Sequence, residues 1–275
     1  MIIVNTQGRF GNQLFQYASG YYSSKKQSTF FFVDIYHSDH FKLHHYFKLR
    51  LFELYINKWL SFIFIKILKF QNRINKLYQI GHEPVEEILK KNSKNCYQKG
   101  FFQSELYFKC AKSEIISLFQ IKPSLQKQFY DKYFDLIYIK PTLVVHFRGG
   151  DYFDFKPNGY SINLPFSYFE FCFNKIEDIE KYQIIWVSDS IEYIKAHFGN
   201  KDNYFYSNEN DIFDFQFLIN ADKLIISNSS FAWWGAYLNK KNAEVFAPKN
   251  WFNFRDEQEN PVGISSLSWN WIDVN

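Results

Sequence analysis

Three short polar clusters stand in the second half of the chain, each directly after an apolar run. "TLVVHF" (142–147) leads into Arg148-Gly149-Gly150-Asp151-Tyr152, "QIIWV" (183–187) into Ser188-Asp189-Ser190, and "KLIIS" (223–227) into Asn228-Ser229-Ser230. An arginine carries a planar fork that matches two phosphate oxygens at once. Two glycines let a ligand come close to the backbone. A serine pair that opens a helix places N–H groups where an anion can sit, and Asp189 could accept from a base or a ribose hydroxyl. Together these residue types suit a nucleotide bearing phosphates. Each also has a plainer reading. Serines and aspartates at such positions commonly cap the next helix, and Arg148 with Asp151 could form a structural ion pair. Three polar strand ends in one half of the chain still point to one crevice, because parallel α/β sheets bind ligands outside the carboxyl ends of their strands.

A fourth cluster lies near the start, where "IIVN" (2–5) is followed by "GRFGNQLFQYA" (8–18). Gly8 and Gly11 flank Arg9 at a strand-to-helix joint, and Asn12-Gln13 follow at the beginning of a helical pattern. Glycine belongs where the backbone turns sharply or meets a ligand closely.

The elements that must hold these clusters alternate. Strands are expected at 2–5, 29–33, 95–99, 142–147, 183–188, 223–227 and 243–247. Helical patterns lie near 12–25, 56–78, 104–119, 124–139, 165–181, 190–198, 211–221 and 230–239. Such alternation predicts parallel sheets with helical crossovers. Pro141 ends one helical pattern and a new strand begins, which places a division near residue 140. Two Rossmann-like units are expected, 1–140 and 141–275.

With 275 residues the chain can bury a full core, and its aromatic fraction of 22% is high. Most of those rings are expected inside, so they are weak evidence for sugar stacking. A net charge of +4 and the absence of a recognisable motif argue against a nucleic-acid partner. Cys96, Cys110 and Cys172 are odd in number and widely spaced, as reduced cytoplasmic thiols would be. Met1 leads straight into the first strand, with no signal peptide expected, and no apolar run reaches the roughly 18–20 residues of a membrane span. Asn228-Ser229-Ser230 matches a glycosylation acceptor only formally.

Two further stretches have competing readings. His37, His40, His44 and His45 cluster with Asp39, and His40 and His44 at i, i+4 could face one metal; a polar surface is the more ordinary reading, and no metal site is expected. Over 56–76, Lys58, Lys66, Lys69, Arg73 and Lys76 fall on one face of a helix, with no acidic residue between Glu53 and Glu83. That face is either the solvated side of a core helix or an interfacial helix on anionic lipid.

"GRFGNQLFQYA", "GFFQSELYF" (100–108), "HFRGGDYF" (146–153), "WVSDS" (186–190), "ISNSSFAWWGAYLN" (226–239) and "VFAPKNWF" (245–252) occur in this order. This series resembles the motifs of glycosyltransferase family 11, the bacterial α-1,2-fucosyltransferases. The resemblance implies an α/β fold of GT-B type, with two Rossmann-like domains facing a central cleft. Residues 1–140 would be the acceptor side and 141–275 the GDP-sugar-binding domain. It implies inverting transfer of fucose from GDP-β-L-fucose to the 2-hydroxyl of a terminal galactose-type residue, on a lipopolysaccharide O-antigen or another oligosaccharide. No cofactor or metal is implied, and the chain contains no Asp-x-Asp. The partners would be GDP-fucose, the galactose-ended glycan and, through 56–76, an anionic membrane surface. The location would be cytoplasmic, extending to the inner face of the cytoplasmic membrane.

Carried over, His146 would face the guanine or the diphosphate, and Arg148 would grip the β-phosphate. Asp189 would accept from guanine, and Asn228, Ser229 and Ser230 would hold the phosphates. Gly8 and Gly11 would bring the first loop to the donor, where Asn12 would hydrogen-bond. Arg148, Asn12 and Asp151 form the catalytic set, and Asp34, Gln103 and Glu105 the acceptor side. The general base stays open among Asp151, Asp34, Glu105 and an expelled phosphate oxygen, with Asp151 also suited to orienting Arg148. One departure stands out: the family commonly has two adjacent arginines, and here the second is Gly149. That leaves two rival readings, a non-catalytic nucleotide- or glycan-binding protein and a transferase of another GDP-sugar.

Overall fold

The computed structural model describes residues 1–34, 41–49, 63, 75–79, 82–156, 159–255 and 258–274. The chain forms two compact units. Unit 1 comprises Met1–Lys122 with Asn260–Leu267, and unit 2 comprises Pro123–Glu259 with Ser268–Asn275.

Unit 1 is built on four parallel strands in the order β2-β1-β4-β3. They are β1 (Ile2–Asn5), β2 (Phe31–Val33), β3 (Asn75–Tyr78) and β4 (Cys96–Lys99). β1 is buried along its whole length, as a central strand covered on both faces should be. The helix Phe10–Lys26 packs against this sheet. Gly20 makes the approach close: a Cβ there would lie 2.2 Å from Val4 Cγ2 and 2.6 Å from the Phe31 ring. The covered side of the helix is rich in polar groups, with Gln13, Gln16, Ser19, Ser23 and Ser24 all buried. Gln98 Nε2 donates to Ser23 Oγ at 3.0 Å and Asn92 Nδ2 donates to the same oxygen at 2.7 Å. Buried polar groups must be satisfied in this way.

Unit 2 carries six parallel strands in the order β10-β9-β8-β5-β6-β7. These are β5 (Thr142–Phe147), β6 (Gln183–Ser188), β7 (Tyr204–Tyr206), β8 (Lys223–Ile225), β9 (Glu244–Pro248) and β10 (Asn270–Ile272). Its interior is aromatic: Trp186, Trp233, Trp234, Trp251, Tyr168 and Phe129 are fully buried. Gly235 lets two helices meet, since a Cβ there would lie 2.5 Å from Leu218 Cβ.

The structure corrects several expectations. The division lies at 122/123 rather than near 140. The helix Pro123–Tyr138 buries Phe129, Tyr133 and Ile137, and its rings meet Phe217 at 5.0 and 4.9 Å. Packing therefore assigns it to unit 2, whatever Pro141 does to the local chain. The helix expected over 56–78 does not reach its end, because Asn75–Tyr78 is strand β3; Lys76 is on that strand and leaves the basic stripe. Lys58, Lys66, Lys69 and Arg73 lie outside the described residues, as do His37, Asp39 and His40. His44 and His45 occupy the short helix Leu43–Tyr46. The pattern at 104–119 resolves into 3-10 turns at Glu105–Tyr107 and Lys109–Ala111 and a helix at Lys112–Leu118. Ser104 causes the first turn, its side chain accepting from the Leu106 N–H. The pattern at 165–181 stops as a helix at Asn174.

Among the described residues no helix is long and apolar enough to cross a membrane. Among the same residues, no group of three or more His, Cys, Asp or Glu could hold a metal ion.

Candidate active site

β5 lies between β6 and β8, so the three polar clusters of unit 2 follow neighbouring parallel strands. Arg148 is the first residue past β5. Its guanidinium pairs with Asp151 and with Asp189, at 2.5 Å each, and lies 5.2 Å from the centre of the Tyr152 ring. Its side chain is 16% exposed. Asn163 Nδ2 donates to the Arg148 carbonyl. The arginine is therefore fixed by two carboxylates, a ring and its own backbone. Such a preset fork suits a diphosphate, on which charge accumulates as a glycosyl bond breaks.

Asp189 does more than pair. Its Oδ2 meets Arg148, and its Oδ1 accepts from the Gly149 N–H at 2.9 Å. Both oxygens thus have a partner inside the protein, and Asp189 orients Arg148 and the glycine loop. Asp151, at 56% side-chain exposure, likewise holds Arg148. The plain ion-pair reading of Arg148 with Asp151 is correct as geometry.

Ser190 and Ser229 do not cap their helices through their side chains, while Ser188 Oγ accepts from the Ser190 N–H at 2.9 Å. Ser190 precedes the helix Ile191–Phe198 without a side-chain cap bond; its hydroxyl accepts from the Gly150 N–H at 3.0 Å instead. Ser229 precedes the helix Ser230–Tyr237 and also makes no side-chain cap bond. Asn228 turns inward, its Nδ2 donating to the carbonyls of Ile162 at 2.9 Å and Trp251 at 3.5 Å. It anchors the strand end.

The glycines explain the loop. Gly150 has φ +50, and a Cβ there would lie 2.7 Å from Asp189 Oδ2. At Gly149 a Cβ would lie 2.2 Å from Ser190 Oγ and 2.9 Å from the Phe153 ring. The absence of a second arginine is therefore matched by a serine hydroxyl in the space that a side chain would need.

His146, the fifth residue of β5, is buried, with Nδ1 2.9 Å from Ser227 Oγ. Burial, reinforced by the positive charge of Arg148, pushes its pKa down to about 3. It is a neutral imidazole at physiological pH. Sequence reasoning missed Ser227, Asn163 and Tyr152 as the supports of this cluster. It also missed Asp214, whose carboxyl pKa burial raises to about 7 while the Ser207 hydroxyl donates to it. The one signal was a single carboxylate inside the apolar run "IFDFQFLI".

In unit 1, Gly8 has φ +72 and its carbonyl accepts from Gln13 Nε2 at 3.1 Å. Gly11 is buried in the first turn of the helix. Asn12 Oδ1 accepts from Gln103 Nε2 at 2.7 Å, so Gly8, Asn12 and Gln103 come together. Asp34 is fully buried and accepts from the Tyr97 hydroxyl at 2.7 Å. Glu105 is also buried, and meets Lys112 at 3.6 Å.

A fixed arginine past a central strand of a parallel sheet, with an uncapped helix start after the neighbouring strand, stands where open α/β sheets bind their ligands. The chain matches the model of glycosyl transferase family 11 over residues 1–274. It belongs to that family and is a glycosyltransferase.

An O-antigen biosynthesis glycosyltransferase, WbnK, of Escherichia coli is 28% identical, over 89% of this chain and 93% of the relative. An alpha-1,2-colitosyltransferase of Escherichia coli is 27% identical, over 92% of each. Among solved structures, the fucosyltransferase NodZ from Bradyrhizobium aligns with a TM-score of 0.53 at 13% identity, over 86% of this chain and 91% of that one. Arabidopsis thaliana FUT1 aligns at 0.53 and 10% identity, over 90% and 69%. At such identities the likeness is one of fold, and it agrees with the α/β architecture of GT-B type that the motifs implied.

Proposed function

We propose that this glycosyltransferase is an inverting fucosyltransferase. It moves fucose from GDP-β-L-fucose to the 2-hydroxyl of a terminal galactose-type residue, on an O-antigen or similar oligosaccharide. The observation that carries the reading is Arg148, preset between Asp151 and Asp189 at the carboxyl end of the central strand. In this reading Arg148 grips the β-phosphate and gains strength as the leaving diphosphate takes up charge. The N–H groups at the start of Ser230–Tyr237 face the same anion. His146, neutral and buried, shapes the nucleotide site, and Asn12 hydrogen-bonds a reacting oxygen. Asp151 and Asp189 keep the guanidinium in position. The similarity to the O-antigen enzyme of Escherichia coli supports the glycan class, and NodZ, an alpha-1,6-fucosyltransferase soaked with GDP-fucose, shares the fold.

Incubation with GDP-fucose and an array of galactose-ended glycans, read by mass spectrometry and then by NMR of the new linkage, tests this. A mass gain of one deoxyhexose and an α-1,2 linkage are expected. Donor binding without any product would make the chain a binding protein. A second reading has one specific support, the similarity to an alpha-1,2-colitosyltransferase. Colitose is fucose without its 3-hydroxyl, so GDP-colitose belongs in the donor panel, and a higher kcat/KM with it would replace fucose in the proposal.

The reaction in this reading needs no divalent ion, as the resemblance to the family implies; the lack of an Asp-x-Asp pair, which commonly holds one against a diphosphate, is consistent with that. Transfer is expected to persist at full rate in excess EDTA. The basic residues Lys58, Lys66, Lys69 and Arg73 complete the proposal as a means of meeting an anionic membrane surface. Salt-sensitive sedimentation with anionic vesicles, lost on changing the four to Gln, is the expected result; no sedimentation at low salt would remove the membrane from it.

A further inference from the structure

A carboxamide has one end that donates and one that accepts, and its two flips are nearly identical in shape. A site that uses an asparagine must therefore choose its flip, and something must hold that choice. In unit 1 the choice is visible. Asn12 Oδ1 accepts from Gln103 Nε2 at 2.7 Å, and Asn12 Nδ2 lies against Gly8, only 2.5 Å from where a Cβ of residue 8 would stand. The oxygen is turned toward a buried amide and the NH2 group toward an exposed glycine.

Gln103 is itself held in an unusual way. It is 7% exposed and follows Phe102, a bulky residue with φ +52. That conformation is costly for a phenylalanine and persists only where the surroundings impose it. They do so here through two other amides. Gln79 Oε1 accepts from the N–H groups of both Phe101 and Phe102, at 3.1 Å each. Gln16 Nε2 donates to the Gly100 carbonyl at 3.0 Å, and the Gln7 N–H donates to Gln16 Oε1 at 2.9 Å. A strained turn is thus tied to the helix behind Asn12, and its product is one well-placed NH2 group.

We propose that Gln103 is a positioning residue for glycosyl transfer. By donating to Asn12 Oδ1 it fixes the Asn12 amide so that the loop at Gly8 presents a hydrogen-bond donor, never an acceptor, to the substrates. The group received is an electron-rich oxygen, of the transferring sugar, its phosphate or the attacking hydroxyl. This rests on the proposed role of Asn12 and adds to it the direction of its hydrogen bond.

The test uses the full chain, GDP-fucose and the acceptor found in the glycan array, in steady state at pH 8. Gln103→Glu keeps the shape but presents only acceptors, so Asn12 must turn its NH2 group inward and its oxygen outward. The expected result is a fall in kcat of about tenfold or more, the scale of one hydrogen bond, with KM for GDP-fucose and the melting temperature little changed. Asn12→Asp reaches the same end without touching Gln103, leaving an oxygen where the NH2 group stood, and should match that loss. In an Asn12→Ala background, Gln103→Glu should cost nothing further, because the two act as one unit. If Asn12→Ala is inactive while Gln103→Glu or Asn12→Asp keeps the native kcat, the positioning role is wrong and Asn12 keeps its place. An equal loss from Gln103→Glu with and without Asn12 overturns the role as well. Native activity in Asn12→Ala instead removes Asn12 from the site.

Discussion

The two parallel sheets of this chain both end in polar clusters, yet they hold those clusters by different means. In unit 1 the holding groups are neutral amides: Gln103 on Asn12, Gln16 on Gly100, Gln79 on the backbone of Phe101 and Phe102. In unit 2 they are ions, with Arg148 between Asp151 and Asp189 above an interior of tryptophan and phenylalanine. A neutral dipole network sets direction, and its strength does not vary with protonation near neutral pH. An ion clamp sets charge, and it responds to any change in the charges around it. Direction matters where a hydroxyl must be aimed; charge matters where a diphosphate departs.

The strongest way to break the contrast is Arg148→Lys. Lysine keeps the charge and loses the planar fork. In the proposed reaction the contact tightens as the leaving group takes up charge, so kcat is expected to fall by about 10² or more, at least ~2.7 kcal/mol, with a much smaller rise in KM for GDP-fucose. Steady-state kinetics decide it, and a steep rise in KM at unchanged kcat would reduce Arg148 to holding the donor. Asp189→Asn should come next. It removes one of the two carboxylates on Arg148 but leaves an oxygen for the Gly149 N–H, and about a tenfold loss of kcat is expected, ~1.4 kcal/mol. Native kcat in this variant would show that Asp151 suffices.

Gly149→Ala sharpens the comparison on stability. Its Cβ collides with Ser190 Oγ, and overpacking of this kind costs about 1–3 kcal/mol. A denaturant midpoint should drop and should recover in part in the double variant with Ser190→Gly. If the single variant is as stable as the native chain, the loop yields more readily than its geometry suggests.

Much of this was legible in the sequence, for a physical reason. Apolar strand runs broken by charged residues mark both the strand and its carboxyl end, so β5, β6 and β8 and their clusters could be read directly. The strands Tyr204–Tyr206 and Asn270–Ile272 are each followed at once by a polar residue, unlike the equally short Lys223–Ile225, whose apolar run continues through Ile226. The division between units escaped because it depends on which rings Phe129 and Tyr133 meet, and Pro141 says nothing of that. Asp189 was readable as a polar strand end, but not as the partner of Arg148, since a contact across two strands leaves no spacing to detect. The burial of Asp34 and its contact with Tyr97 were invisible in the motif, because burial depends on the rest of the sheet.

A further test of the comparison lies in pH. The unfolded chain protonates His146 near its ordinary pKa of 6.5 while the folded one resists until about 3, so this residue's contribution to stability is present above 6.5 and lost as pH falls toward 3. Asp214 acts in the opposite sense. Its folded pKa of about 7 against an ordinary 3.8 gives a contribution present below 3.8 and lost as pH rises through 7. Between pH 4 and 6.5 the two contributions oppose each other, so in thermal melts His146→Gln should lower the slope of Tm against rising pH and Asp214→Asn should raise it. Asn12→Ala, which alters only an amide, should leave the shape of the curve unchanged, and a changed slope there would erase the distinction between the two units.

The chain leaves unit 1 at Lys122, returns to it for Asn260–Leu267 and ends in unit 2. The returning piece is fastened, since Ser104 Oγ donates to the Gly263 carbonyl at 2.6 Å, and the last segment supplies β10 beside β9. Neither unit is therefore a continuous stretch of gene. A single crossover between two relatives inherits a sheet from one parent and its closing segment from the other. Shuffling the two units among such enzymes calls for three junctions, at about 122, 259 and 267. Chimeras cut only in the middle should be poorly folded for reasons unrelated to their active sites.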